Sequence, residues 1–101
     1  MGTVFFEKTW RLLEKIPLGR VSTYGDLARA LKKPGAARAV GNACNANPNA
    51  PQVPCHRVVA SDGQLGGYAH GTSKKIELLR SEGIQIKNNR IVGFETRRFR
   101  F

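Results

Sequence analysis

Hydrophobic and polar positions alternate along this chain with mostly helical periods. From Phe5 to Ile16, Phe6, Trp10, Leu13 and Ile16 recur at three- and four-residue spacing, which predicts an amphipathic helix ended by Pro17 and Gly19. Ser22 or Thr23 is placed to cap a second helix carrying Asp26, Leu27, Ala28 and Leu31. Lys32-Lys33-Pro34-Gly35 reads as a turn, and Ala36 to Ala46 as a third helix of small residues. Two short helices joined by a tight Pro-Gly turn suggest a helix-turn-helix, a motif that alone says little about binding.

Beyond the third helix the pattern changes. Pro48, Pro51 and Pro54 forbid helix and favour a fixed, extended loop that leads into Cys55-His56-Arg57 and the apolar Val58-Val59-Ala60. Ser61-Asp62-Gly63 turns, and Gly66-Gly67 gives a flexible approach to Tyr68. Thr72 or Ser73 is expected to cap a last helix bearing Ile76, Leu78 and Leu79, which Gly83 stops. Ile84-Gln85-Ile86 and Arg90-Ile91-Val92 flank Asn88-Asn89 as a small hairpin. Residues 96–101 read as a flexible, basic and aromatic tail. The expected fold is therefore mainly α with a small β-hairpin (α+β): one domain over residues 1–101, built on a winged-helix-like helix-turn-helix.

Charge narrows the partners. Seventeen Lys and Arg against seven Asp and Glu give a formal net charge of +10 on 101 residues. A field of that sign draws polyanions, so a nucleic acid is the expected partner. A membrane is not expected, because no apolar run is long enough to span one and no helix joins a basic face to a wide apolar one. With acidic Glu7 and no signal-peptide core near Met1, the expected location is the cytoplasm: at the nucleoid in a prokaryote, in the nucleus of a eukaryote. Cys44 and Cys55 could pair by count, yet two cysteines do not make a disulfide scaffold. Cys44, Cys55, His56 and His70 fit no usual zinc spacing, so no metal is expected.

Cys55 follows a stiffened loop and precedes His56 and Arg57. A cysteine attacks only as thiolate, and a neighbouring cation or paired histidine favours that form. On an extended segment the side chains of Cys55 and His56 would point to opposite faces, leaving a water to carry the proton between them. Glu82 is a candidate to orient the imidazole, and Arg57 a candidate to pair with a carboxylate.

Pro54-Cys55-His56-Arg57-Val58-Val59 resembles the active-site signature of O6-alkylguanine-DNA alkyltransferases (methylated-DNA–protein-cysteine methyltransferases). Gly19-Arg20-Val21-Ser22-Thr23-Tyr24, Ala36-Ala37-Arg38-Ala39-Val40-Gly41, Asn47-Pro48, Gly66-Gly67-Tyr68 and Leu78-Leu79 through Glu82-Gly83 follow in that family's order and spacing. The resemblance implies that Cys55 accepts an alkyl group from O6-alkylguanine in double-stranded DNA, once per molecule and without a cofactor. His56 would then be its base through a water, Glu82 would hold His56, and Asn47 would brace the loop. Tyr24 would press on a phosphate and protonate the departing guanine. Arg38 would fill the space left by the flipped base. Tyr68 would wall the alkyl pocket, and the Val58 backbone and Ala69 amide would recognise guanine. Thr23, Ala37, Gly41 and Asn45 would join Tyr24 and Arg38 at the DNA, with the third helix in the minor groove and the protein a monomer.

Two departures of this chain from the family are expected: the additional N-terminal domain that many members carry is expected to be absent, and His70 stands where many have glycine. Short alkyltransferase-like proteins resemble it too. They replace the cysteine and bind alkylated guanine without removing the lesion, so the alternative is a lesion sensor with an unreactive Cys55. A sequence-specific helix-turn-helix regulator would leave the cysteine loop unexplained.

Overall fold

The computed structural model describes residues 3–101. The first helix, α1 (Thr3–Leu13), buries Phe5, Thr9 and Leu13 at four-residue intervals, with the Thr9 hydroxyl donating to the Phe5 carbonyl at 2.9 Å. The helix stops at Leu13, three residues before the expected end. Ile16 is nonetheless buried, through a following turn. Phe6 and Trp10 lie at the edge of the core, where the Trp10 indole donates to the Ala43 carbonyl at 2.8 Å.

Strand β1 (Ser22–Thr23) leads directly into α2 (Tyr24–Ala30), and α3 (Ala37–Asn45) follows the Pro-Gly turn. Thr23 is the cap of α2: its side-chain oxygen accepts from the Asp26 amide at 2.9 Å. Helices α2 and α3 pack together as the helix-turn-helix.

Cys55–Arg57 forms a single 3-10 turn in place of the expected extended segment, and β2 (Val58–Val59) continues from it. Strand β2 pairs in parallel with β1, in the register Ser22↔Val58 and Thr23↔Val59. That pairing, unforeseen in the sequence, sets the cysteine turn beside the start of α2. Successive side chains of a strand face opposite ways. Val58 accordingly joins the core shared with Leu13, Leu27 and Val40, and Val59 the one formed by Val21, Leu65, Leu79 and Ile84.

The last long helix, α4 (Thr72–Ser81), is capped by Gly71 at φ 93° rather than by a Thr72 or Ser73 hydroxyl, and it ends before Gly83 at φ 85°. The hairpin forms as β3 (Ile86–Lys87) and β4 (Arg90–Ile91), with Asn88 and Asn89 at φ 54° and 60° between them. Consecutive left-handed residues are what a two-residue hairpin turn requires.

The tail expected to be free is tied back. After a short helix, α5 (Phe94–Arg97), Val21 donates to the Arg97 carbonyl at 2.9 Å and Phe99 donates to the Val21 carbonyl at 2.6 Å. Phe99 packs on the first core. The fold is an α+β helix-turn-helix domain, mainly helical with small sheets. Among the described residues no helix is long and apolar enough to cross a membrane.

Candidate active site

The 3-10 turn buries both Cys55 (4% exposed) and His56 (1%). Burial pushes the Cys55 thiol above its ordinary value of 9.0, against opposing pulls from Asn47 and the Lys75 ammonium. Asn47 braces the loop that delivers it: its amide donates to the Val53 carbonyl at 2.7 Å, and its oxygen accepts from the Asn49 amide at 3.0 Å.

His56 Nε2 lies 2.9 Å from a Glu82 carboxylate oxygen at the end of α4. An ionised carboxylate only accepts, so Nε2 carries the proton and Nδ1 keeps its lone pair. Nδ1 is buried and has no hydrogen-bond partner among the described residues. Burial lowers the His56 pKa below 6.5 although Glu82 pulls the other way, so the ring is neutral at pH 7 and able to take a proton. Glu82 is fixed from a second side. Arg57 donates to both its oxygens at 2.9 Å and to the Ile16 carbonyl at 2.8 Å. Burial alone would raise the Glu82 pKa, but the Arg57 and His56 bonds bring it down, so its charge is held.

A groove of about 450 Å³ is lined by Tyr24, Ala37, Arg38, Gly41, Asn42, Asn45 and Gly67, with no residue of the cysteine turn in its wall. Tyr24, Arg38, Ala37, Gly41 and Asn45 were expected to lie together; Asn42 and Gly67 are additions. Thr23 does not join them. It is wholly buried, with its hydroxyl committed to capping α2, and so offers no side chain to a ligand. Burial first, and then Cys44 and Cys55, push the Tyr24 phenol up to about 12, so it stays protonated. Tyr68 is half-buried, its ring 6.5 Å from that of His56 and 5.4 Å from that of the exposed His70. Ala69 is exposed next to it.

Lys75 is the residue that sequence reasoning missed. It is 0% exposed, and its ammonium donates to the carbonyls of Val58 (2.7 Å), Leu65 and Gly67 (3.0 Å). Two chain segments, β2 and the loop through Leu65 and Gly67, are thus tied to α4 by one cation. Its place four residues before buried Leu79 put it on the inner stripe of α4, the one signal the sequence carried.

The family model "6-O-methylguanine DNA methyltransferase, DNA binding domain" matches residues 4–84. The chain belongs to that family. A methylated-DNA–protein-cysteine methyltransferase of Salmonella typhimurium is 54% identical over 82 residues, which are 81% of this chain and 48% of that protein. The chain spans about half the length of the curated relatives it matches. A structure of S. pombe Atl1 with damaged DNA containing O6-carboxymethylguanine superposes with TM-score 0.78 at 33% identity, covering 86% of this chain and 82% of that one. A structure of S. pombe ATL with DNA gives TM-score 0.84 at 27% identity, covering 100% and 99%. Residues 85–101 therefore lie beyond the methyltransferase-domain match, yet within the length shared with the S. pombe protein.

Proposed function

We propose that this domain repairs DNA by taking an alkyl group from O6-alkylguanine onto Cys55, once per molecule. The observation that carries the proposal is the buried thiol next in sequence to a neutral histidine whose Nε2 is fixed by Glu82 and whose Nδ1 has no partner among the described residues.

A base inside a duplex cannot meet a buried thiol, so the target nucleotide is extruded, at a cost of roughly a few kcal/mol. Arg38 on α3 fills the vacated stack, and the small residues Ala37 and Gly41 let α3 approach the minor groove closely, with Asn45 further along the same face. Readout there is largely degenerate, which suits a protein that must act in any sequence. Tyr24 presses on the neighbouring phosphate. The flipped guanine lies against Tyr68 and is recognised by the Val58 backbone and the Ala69 amide.

In the transfer, sulfur attacks the alkyl carbon as the carbon–O6 bond breaks. The thiol proton passes through a water to His56 Nδ1, and the Tyr24 phenol gives a proton to the departing guanine ring. The His56 imidazolium then gives up its proton to solvent and the Tyr24 phenolate regains one, so the net exchange is one alkyl group for one proton. The thioether is stable, so the molecule is spent, and no cofactor takes part.

The test is the intact mass of the protein after mixing with a duplex bearing one O6-methylguanine. A gain of one methyl, mapped to Cys55 and absent in Cys55→Ser, supports transfer. A second reading, lesion sensing without transfer, is favoured by the full-length match to S. pombe ATL and by the raised thiol pKa. Tight, lesion-preferring binding with no mass change would establish it instead.

A further inference from the structure

We propose that the C-terminal segment is part of the base-extruding machinery: Arg98, clamped on Asp26, positions Tyr24 against the Gly66–Gly67 loop. This rests on the role given above to Tyr24, and it concerns residues outside the 4–84 match.

Asp26 and Thr23 close the first turn of α2 through the Asp26 amide, and Tyr24 sits within that turn. Arg98 grips the Asp26 carboxylate with two bonds of 2.9 Å, at side-chain exposures of 12% and 4%. A bidentate guanidinium–carboxylate pair fixes direction as well as distance. The backbone around it pins the preceding strand, because the Ser22 hydroxyl donates to the Phe99 carbonyl at 3.0 Å and residues 97 and 99 bond to Val21. On its far side, Tyr24 meets the glycine loop. Its hydroxyl lies 3.4 Å from the Gly67 carbonyl, and a Cβ on Gly66 would come within 3.1 Å of that hydroxyl.

The character of the attachment favours positioning over bulk stabilisation. None of the residues of α5 is buried. Phe94 and Phe99 pack on the two cores only partly buried, whereas the segment's directional, polar bonds converge on the β1–α2 junction. Buried ion pairs are weak sources of net stability and better suited to specifying one geometry.

The experiment compares Arg98→Ala, Arg98→Lys and Asp26→Asn with the parent protein, alone and combined with Tyr24→Ala. Three quantities are read: extrusion, from the fluorescence of 2-aminopurine at the target position of a duplex; methyl transfer from O6-methylguanine duplex; and Cys55 alkylation by iodoacetamide, which needs no DNA. A misplacement of about an ångström at a positioning group costs on the order of tenfold to a hundredfold in rate, so Arg98→Ala should reduce extrusion and transfer by at least about tenfold. Iodoacetamide reactivity should stay within about twofold, Arg98→Lys should recover part of the loss, and the loss should vanish in the Tyr24→Ala background.

A general loosening of the fold would expose the thiol and speed its alkylation. That result overturns the proposal, as does unchanged extrusion or a loss that adds fully to that of Tyr24→Ala. Should the parent protein transfer no methyl, the chemistry proposed for Cys55 fails, while extrusion still decides the role of Arg98. If Arg98→Ala does not fold, Arg98→Lys and Asp26→Asn carry the same comparison.

Discussion

Replacing Lys75 with methionine keeps most of the volume and removes the ammonium. In the folded protein that ammonium makes three bonds to carbonyls, on Val58, Leu65 and Gly67. Hydrogen bonds to a charged group contribute about 1.5–3 kcal/mol each, so the gross loss is roughly 5–9 kcal/mol. Against this stands the cost of burying the charge, several kcal/mol, which methionine does not incur. The burial cost also appears in the pKa, brought down from 10.5 to about 8. The net destabilisation expected is about 2–4 kcal/mol, because three carbonyls are left without their shared donor. At 4–8 °C per kcal/mol for a domain near this size, the melting temperature should fall by at least about 8 °C. Circular dichroism at pH 7 measures it. The pH profile adds a check with a definite sign. The folded state binds fewer protons at Lys75 than the unfolded state between pH 8 and 10.5, so this group raises stability as pH climbs through that window. Lys75→Met should lose that rise. A melting temperature within about 2 °C of the parent would refute the clamp, because it would mean the three carbonyls are as well satisfied without the cation.

Three further outcomes follow from the same geometry. Glu82→Gln retains the shape but not the charge that fixes His56 and Arg57, and it should slow methyl transfer about 10–100-fold in a single-turnover assay. Gly66→Ala places a Cβ 3.1–3.2 Å from the Tyr24 ring and hydroxyl at φ +68°, and should cost about 1–3 kcal/mol in a urea melt. For Asp26, burial would raise the pKa, but Arg98, Arg29 and Thr23 bring it from 3.8 down to about 2. Its contribution, about 2 kcal/mol, is therefore present above pH 3.8 and lost as pH falls toward 2, and acid titration of Arg98→Ala should show that loss diminished.

The elements legible in the sequence are those with a period or a stop signal. Three- and four-residue spacing marked α1, a capping Ser22 or Thr23 marked α2, and Gly83 and Asn88-Asn89 marked the end of α4 and the hairpin turn. The β1–β2 pair was not legible, since two-residue strands carry no alternation to read and their partners lie 36 residues apart, Ser22 against Val58. The tail misled for a related reason. Arg97, Arg98 and Arg100 look solvated when only their own neighbours are considered, and the acceptors that hold the segment are Asp26 and the backbone of Val21.

The site divides along the same line. Local chemistry singled out Cys55, His56 and Arg57, and the need for a carboxylate to orient the imidazole made Glu82, 26 residues beyond His56, a candidate to which the family resemblance then gave the role. Lys75 shows why some functional residues leave so little trace. A buried cation paired with a carboxylate has an acidic partner somewhere in the sequence, whereas one satisfied by backbone carbonyls has partners that every residue supplies. Its burial is therefore a property of where two segments of main chain converge on α4. Those segments converge because β2 lies beside β1 and the glycine loop turns over Tyr24. The cation that steadies the pocket and the tyrosine that faces the groove thus depend on the same two loops. A substitution in either loop should disturb thiol environment and DNA handling together, while one confined to the Arg98–Asp26 clamp should disturb only the second.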